Sequence, residues 1–373
     1  MPARKTPSSK PYTDADRPFM VRALALAEQG LYTATPNPRV GCVIVKGGAV
    51  VGEGWHEAAG KPHAEVNALK EAGAKARGAT MYVTLEPCSH QGRTPPCADT
   101  LIKAGIARVV AAMQDPNPVV SGEGYARLRG AGIDVASGLM QEEAGELNVG
   151  FVSRMARGRP WVRMKIAATL DGRTALANGR SQWITGEAAR QDGHHFRARA
   201  CALLTGIGTV MDDDPQLNVR YVETPRQPLR VLVDSRLEVP EGAHILAHGP
   251  LLIAAARADK AKTEALRARG AEVLLLPNAH GKVELPQLML ELGRRGVNEL
   301  HVEAGPRLNA SLLREGCVDE LLVYLAPSLI GNTGQGMFSL PELSDLAQRT
   351  RLSFRDLGRV GEDIRVIARL RAV

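Results

Sequence analysis

The chain has 373 residues, 44% of them apolar, five cysteines and a net charge of +7. That suffices for two or three domains with sizeable cores, and no apolar run reaches the roughly 18 residues of a membrane span. The charge is diffuse, with 18 Lys/Arg against 15 Asp/Glu up to Arg157 and 29 against 25 after it, and aromatics are only 4%. A nucleic-acid groove wants clustered cations interleaved with stacking rings, so small anionic ligands such as phosphate esters fit better. An odd, scattered set of cysteines argues for a reducing compartment and against a disulfide framework, and the polar Met1–Lys10 reads as part of a flexible cytoplasmic tail over 1–12.

In chain order, Pro18–Gln29 reads as a helix stopped by Gly30. Val40–Val45 reads as a buried strand, with Gly47-Gly48 turning it into Val50-Val51. Before it stands the rigid turn Thr35-Pro36-Asn37-Pro38, where Asn37 can present its amide to a base or sugar. A helix from His63 to Gly73, a strand Thr80–Leu85, a helix Cys97–Gly105 and a strand Arg108–Met113 follow. A single amphipathic helix spans Gln141–Arg157, and Arg157-Gly158-Arg159-Pro160 marks a boundary. Cys42, in mid-strand, belongs to the core.

The stretch His63–Cys97 carries the chemistry. His63, Cys88 and Cys97 supply one imidazole and two thiolates, three ligands that leave a fourth zinc position open for water. Zinc lowers the pKa of that water, and Glu65 is left as a proton shuttle. Residues two apart do not share a helix face, so His63 and Glu65 converge only if the helix starts there, as Pro62 suggests. Pro95-Pro96 mark a second such start before Cys97. The pattern matches H-x-E followed by P-C-x-x-C of zinc deaminases, except that Cys97 comes nine residues after Cys88 and Ser89–Pro96 must loop out. His56 and His90 are rival ligands without a helix start beside them. A noncatalytic zinc scaffold would need no Glu65 and would close the metal with a fourth protein ligand. A nucleic-acid deaminase with an accessory domain would want the missing basic clusters.

From Trp161 the strand–helix alternation restarts. Strands are expected at 161–169, 202–205, 229–234, 251–255, 272–276, 299–303 and 320–325. Helices are expected at 186–200, 260–269, 286–295 and 307–315, with a closing strand pair at 352–360 and 363–370. No repeat relates the halves, and Gly206-Ile207-Gly208 lacks the third glycine of a Rossmann fingerprint. Two turns read as phosphate handling. At Glu303-Ala304-Gly305-Pro306-Arg307, Gly305 admits a ligand to the free amides of a new helix. At Asp234-Ser235-Arg236, the acid suits ribose hydroxyls, whereas Ser and Arg suit a 2′-phosphate, and Arg236 reads equally well as a solvated surface residue. His194-His195 reads as a solvated helix face, and Cys201 and Cys317 as structural.

These residues resemble the bifunctional riboflavin-biosynthesis deaminase/reductase family (RibD) from about Asp14 to the C-terminus. The matching motifs are Thr35–Gly41, Pro62–Glu65, Thr84–Cys97, Leu170-Asp171-Gly172-Arg173, Ser181–Thr185, Asp213-Asp214-Pro215 and Val302–Pro306. The long Cys88–Cys97 spacing is the family's own. The resemblance implies a cytidine-deaminase-like three-layer α/β domain over 1–158 and a dihydrofolate-reductase-like α/β domain over 159–373. It implies hydrolysis of the 2-amino group of 2,5-diamino-6-ribosylamino-4(3H)-pyrimidinone 5′-phosphate, then NADPH-dependent reduction of the ribosyl chain. By motif match, Ala167, Trp183, Thr209, Asp213, Ser235, Gly305, Pro306, Arg307, Leu308, Asn309, Ala310 and Ser311 would line the NADPH site. Ser181, Arg197, Leu217, Arg220 and Glu303 would meet the sugar phosphate. Lys165 and Asp171 are candidate proton donors in the reduction. The expected protein is cytoplasmic, binds Zn2+ and NADPH, has no nucleic-acid or membrane partner, and forms a homo-oligomer, dimer or tetramer.

Overall fold

The computed structural model describes residues 12–90, 95–118, 120–247 and 249–371. The tail expected over 1–12 lies outside these up to Pro11, as does the middle of the Ser89–Pro96 loop. The chain forms two compact units, one ending at Ala156 and one starting at Arg157.

In the first unit, α1 (Arg17–Glu28), β1 (Gly41–Lys46), β2 (Ala49–Trp55), α2 (Ala64–Ala72), β3 (Thr80–Val83) and α3 (Cys97–Ala104) follow the expected order. Then come β4 (Arg108–Ala111), α4 (Glu123–Gly130), β5 (Asp134–Ser137), α5 (Gln141–Leu147) and α6 (Val149–Arg157). The sheet runs β2-β1-β3-β4-β5, antiparallel across β2-β1-β3 and parallel from β3 to β5. One face buries Cys42, Met81, Val109 and Val135 under Ala64, Ala68, Leu101 and Leu128 of α2–α4. The other buries Val43, Tyr82 and Val110 under Met20, Ala23, Ala144 and Phe151. The result is three layers.

The long helix expected over 141–157 breaks at Asn148, whose side chain has a better use than continuing it. Asn148 Oδ1 accepts from Arg39 N at 2.8 Å and its Nδ2 donates to Arg39 O at 2.9 Å. This gives both backbone groups of Arg39 a partner just before β1. The glycines of β2 set the depth of α2. A Cβ on Gly54 would fall 2.6 Å from Ala64 O, Ala68 N and Asn67 Cβ, and one on Gly52 would fall 2.3 Å from Ala68 O. The helix therefore lies directly on the strand backbone.

The second unit holds β6 (Trp161–Thr169), β7 (Arg173–Ala175), α7 (Glu187–Arg199), β8 (Ala202–Gly206), α8 (Ile207–Asp213), β9 (Leu229–Val233), β10 (Leu251–Ala255) and α9 (Lys260–Ala268). After these come β11 (Ala271–Leu275), α10 (Leu285–Arg294), β12 (Glu299–Val302), α11 (Pro306–Arg314), β13 (Glu320–Ala326), β14 (Gln335–Gly336), β15 (Leu352–Val360) and β16 (Asp363–Leu370). Nine strands order as β11-β10-β9-β8-β12-β6-β13-β16-β15, parallel from β11 to β13 and closed by the antiparallel pair. Their runs are apolar because both faces are covered. Val162, Leu204, Val231 and Leu300 pack under α10 and α11, and Leu203, Leu232 and Ile253 under Val210 and Leu266. Seven parallel strands end on one edge, where open α/β sheets bind their ligands.

Candidate active sites

His63 is the residue just before α2, in extended conformation, and Glu65 lies in the first turn. That placement solves the two-residue spacing, because the imidazole leaves from the cap while the carboxylate leaves from the helix. Cys97 opens α3 directly after Pro96, and its backbone N–H donates to Cys88 Sγ at 3.3 Å. His63 Nδ1 lies 3.2 Å from Cys97 Sγ and 3.7 Å from Cys88 Sγ. The three ligand atoms stand within 4.8 Å of one another, and no other such cluster occurs among the described residues. Ligands on a tetrahedral zinc with bonds of about 2.0–2.3 Å stand about 3.5–3.8 Å apart, so this triangle fits the ion.

The protonation chemistry fits as well. Hydrogen bonding from Cys97 brings the Cys88 thiol down to about 4 against the opposing effect of burial, while its contact with Cys88 pushes Cys97 up. Two sulfurs this close share one negative charge unless a cation sits among them. Glu65 is 4% exposed and in hydrogen-bond contact with Cys97. Burial raises its pKa, which suits a group that must take up a proton and release it again.

The rival ligands are otherwise occupied or exposed. The His56 ring contacts Pro62 O through Nδ1 and Asn37 Nδ2 through Nε2, each at 3.0 Å, and stands edge-on to His63. Asn37 thus lies one ring away from His63 of the three-residue cluster. His90 is exposed and outside the cluster. A residue missed in the sequence is Glu86, two before Cys88. It is 3% exposed, and its carboxylate accepts backbone N–H bonds from Asp115 and Gly122 on one oxygen and from Gly124 and Tyr125 on the other. The Glu-Pro-Cys run was the available signal, because an acid fixed before a rigid proline holds the ligand loop.

In the second unit the expected residues gather on the C-terminal edge of the parallel strands. Glu303, just past β12, takes a fork from Arg197 on α7, with Nη2 at 2.9 Å from Oε2, and has Lys165 Nζ of β6 at 4.0 Å. Burial would raise the Glu303 carboxyl, but Arg197 and Lys165 outweigh it and hold it well below the usual range. Burial lowers Lys165. Arg197 also donates to Asn218 O at 2.8 Å, and Arg220 Nη1 to Asn218 Oδ1 at 2.7 Å, so Leu217–Arg220 joins the same cluster. Gln182 Nε2 donates to Asp213 Oδ1 at 3.2 Å, which brings Ser181–Trp183 to the last residue of α8, a helix whose first turn holds Thr209. Trp183 is 70% exposed with Arg190 over its ring.

Around α11 the run Gly305–Ser311 divides. Where a Cβ of Gly305 would stand there is open space, and the first-turn amides of Arg307 and Leu308 lack an acceptor inside the helix. Asn309 and Ala310 are buried at 2% and 1%, so their side chains face the core. Ser235 Oγ accepts from Val283 N at the end of β9. Ala167 lies on β6 within this edge.

At three further positions the structure departs from a reading or decides between two. Asp234 is fully buried and accepts from Val239 N and Arg236 N, so its carboxylate braces the turn instead of meeting ribose hydroxyls. Arg236 pairs with Glu238 at 3.0 Å on the surface. Asp171 accepts from Thr169 Oγ1, Ile330 N and Gly331 N, and these bonds, Thr169's first, lower its pKa and favour the carboxylate over the acid that a proton donor needs.

Residues 160–366 match the family described as RibD C-terminal domain, and residues 13–113 the cytidine and deoxycytidylate deaminase zinc-binding region. The riboflavin biosynthesis protein RibD of Escherichia coli K12 is 49% identical over 363 residues, 94% of this chain and 98% of that protein. The solved structure of Acinetobacter baumannii RibD, form 1, is similar at a TM-score of 0.89 and 43% identity, covering 96% of this chain and 99% of that one. The Thermotoga maritima diaminohydroxyphosphoribosylaminopyrimidine deaminase/5-amino-6-(5-phosphoribosylamino)uracil reductase is similar at 0.84 and 32% identity, covering 95% and 99%.

Proposed function

This chain belongs to the RibD family and combines a zinc-type deaminase domain with a reductase domain, and on that premise we propose the following steps and residue roles. The substrate is 2,5-diamino-6-ribosylamino-4(3H)-pyrimidinone 5′-phosphate. His63, Cys88 and Cys97 would hold zinc, which when bound would acidify a water molecule. Asn37, fixed by His56, meets the pyrimidine. Glu65 takes the proton of the attacking water, gives it to a ring nitrogen as C2 becomes tetrahedral, and carries a further proton to the departing ammonia. The observation that carries this reading is the His63–Cys88–Cys97 triangle with a buried glutamate against it.

In the second domain, NADPH when bound would supply a hydride, and C1′ of the ribosyl group would accept it. The acceptor is the ring-opened imine, since a closed aminal has no electrophilic double bond. Lys165 is the proton donor. Ser181, Arg197, Leu217, Arg220 and Glu303 receive the sugar phosphate. The cofactor takes Ala167, Trp183, Thr209, Asp213, Ser235 and the Gly305–Ser311 turn, with Leu308, Asn309 and Ala310 acting through the backbone. Among the described residues no helix is long and apolar enough to cross a membrane, and all five cysteines are free, which supports a cytoplasmic place. A homo-oligomer is supported by the edge strand β15, whose Phe354 and Leu357 are 70% and 60% exposed.

The test is to incubate the purified protein with the diaminopyrimidinone phosphate, with and without NADPH, and to identify products by mass. Exchange of an amino group for oxygen without NADPH, and a further gain of a hydrogen pair with it, are expected. An unchanged substrate in both arms would overturn the reading.

A further inference from the structure

The helix α7 carries a buried histidine that the reaction scheme leaves unused. His194 is only 4% exposed, one turn before Arg197 and on the same face. Its Nδ1 accepts from the backbone N–H of Arg220 at 3.1 Å, and its ring meets Tyr221 edge-on at 4.8 Å between centroids. Its Nε2 lies 3.4 Å from Arg197 Nη1. A neutral imidazole has one acceptor nitrogen. Both of these neighbours are donors, so the shorter contact takes the lone pair and the proton sits on Nε2.

We propose that His194 is a positioning residue of the reductase site: a neutral acceptor that pins Arg220 and Tyr221, so that Arg220 and Arg197 converge on the substrate phosphate. The segment is otherwise held from its sides. Val219 exchanges two hydrogen bonds with Gln227, and Asn218 O takes one from Arg197. Among the described residues the His194 bond alone reaches the backbone of Arg220, whose side chain is exposed. The charged groups facing the ring are Arg197, Arg220, Lys165 and Glu303; burial first, then the cations, lowers its pKa to about 3. A charged imidazolium would lose the acceptor and add a fourth cation to the cluster, so neutrality is a condition of the role.

The inference rests on Arg197, Leu217 and Arg220 being the sugar-phosphate contacts, and the experiment separates the two. Steady-state reduction of the deaminated substrate is measured with and without its 5′-phosphate for wild type, His194→Phe, His194→Gln, His194→Asn and Arg220→Ala. Phe keeps the ring against Tyr221 and removes the acceptor. Gln stays polar but reaches the Nε2 position, and Asn puts an oxygen near Nδ1. His194→Phe and His194→Gln should raise KM for the phosphorylated substrate about three- to tenfold, the worth of one neutral hydrogen bond, with kcat and the KM for NADPH unchanged. The rise should vanish with the dephosphorylated substrate and be reversed in His194→Asn. If Arg220→Ala selectively weakens the phosphorylated substrate while His194→Phe and His194→Gln do not, the inference falls alone. It also falls if His194→Asn is as impaired as His194→Gln. If Arg220→Ala does not discriminate the two substrates, the phosphate contact itself is wrong and the inference goes with it.

Discussion

Glu86→Gln is the substitution whose cost the structure lets one work out. Gln has the shape of Glu, so no cavity opens, and the change is confined to one oxygen becoming an NH2 group. Each Glu86 oxygen accepts two backbone amides: Asp115 at 3.1 Å and Gly122 at 3.0 Å, and Gly124 at 2.9 Å and Tyr125 at 3.3 Å. Whichever way the amide turns, two backbone N–H groups face another donor, either the buried pair Gly124 and Tyr125 or buried Asp115 with part-buried Gly122. An unsatisfied buried donor costs about 1–3 kcal/mol, so the pair costs about 2–6 kcal/mol. That is a large part of the roughly 5–15 kcal/mol that keeps a domain folded. Because Cys88 follows Glu86 by two residues, release of zinc into a chromophoric chelator across a urea series reports the loss locally. With a slope of about 2 kcal/mol per molar urea, the release midpoint should fall by about 1–3 M. A midpoint within about 0.3 M of wild type would refute the reasoning, and Glu86 would then be one hydrogen-bonded loop acid among many.

Glu65→Gln should keep zinc, measured by metal analysis, and lose deamination by about 10²–10⁴-fold, while reduction of already deaminated substrate continues; an emptied metal site would make Glu65 a ligand instead. Arg236→Ala should change NADPH affinity by less than about 0.5 kcal/mol in a binding titration, because its guanidinium is turned to Glu238 on the surface. Wild-type use of NADH and NADPH with equal efficiency would overturn the phosphate reading of Ser235 and the Gly305 turn. For Asp16, burial raises the carboxyl, but hydrogen bonds from Arg108, Thr13 and Tyr82 outweigh it and hold the pKa below its usual value. A depressed carboxyl stabilises above its unfolded pKa of about 3.9 and loses that contribution as pH falls through the folded value. The first unit should therefore lose stability below about pH 4, and Asp16→Asn, followed by unfolding at several pH values, should flatten that slope.

Two of the three candidate metal ligands, His63 and Cys97, were legible because each stands beside a helix start, where proline and spacing constrain the chain more than propensity does. His63 before α2 and Cys97 at the head of α3 follow from Pro62 and Pro95-Pro96. The strands of the second unit were legible as apolar runs. Asn148 was not, because its side chain pairs with a residue more than a hundred positions away, and nothing local marks that partner. The helix α4 and strand β5 lay in a Gly-rich stretch with weak periodicity, and packing on β4 settles them. Asp234 and Arg236 misled for a related reason. A strand-ending acid looks the same in sequence whether it faces a ribose or caps its own turn, and only the amides of Arg236 and Val239 decide. His194 looked solvated because its neighbours in sequence are polar, yet the segment around Arg220 folds over it.

The close seating of α2 on Gly52 and Gly54 means that catalytic precision is partly encoded by missing atoms. A methyl at position 54 would stand 2.6 Å from the helix backbone, where Cβ contacts are essentially never under 3.0 Å, so the helix would have to lift by at least about 0.4 Å, the difference. Metal bonds tolerate about 0.2 Å. His63 and Glu65 would ride outward together while Cys88 and Cys97, carried by other elements, stayed behind. A position that touches neither zinc nor pyrimidine thus acts as a spacer for the deaminase, and drift there would silence the first reaction while the second ran on, leaving a chain that reduces but no longer hydrolyses.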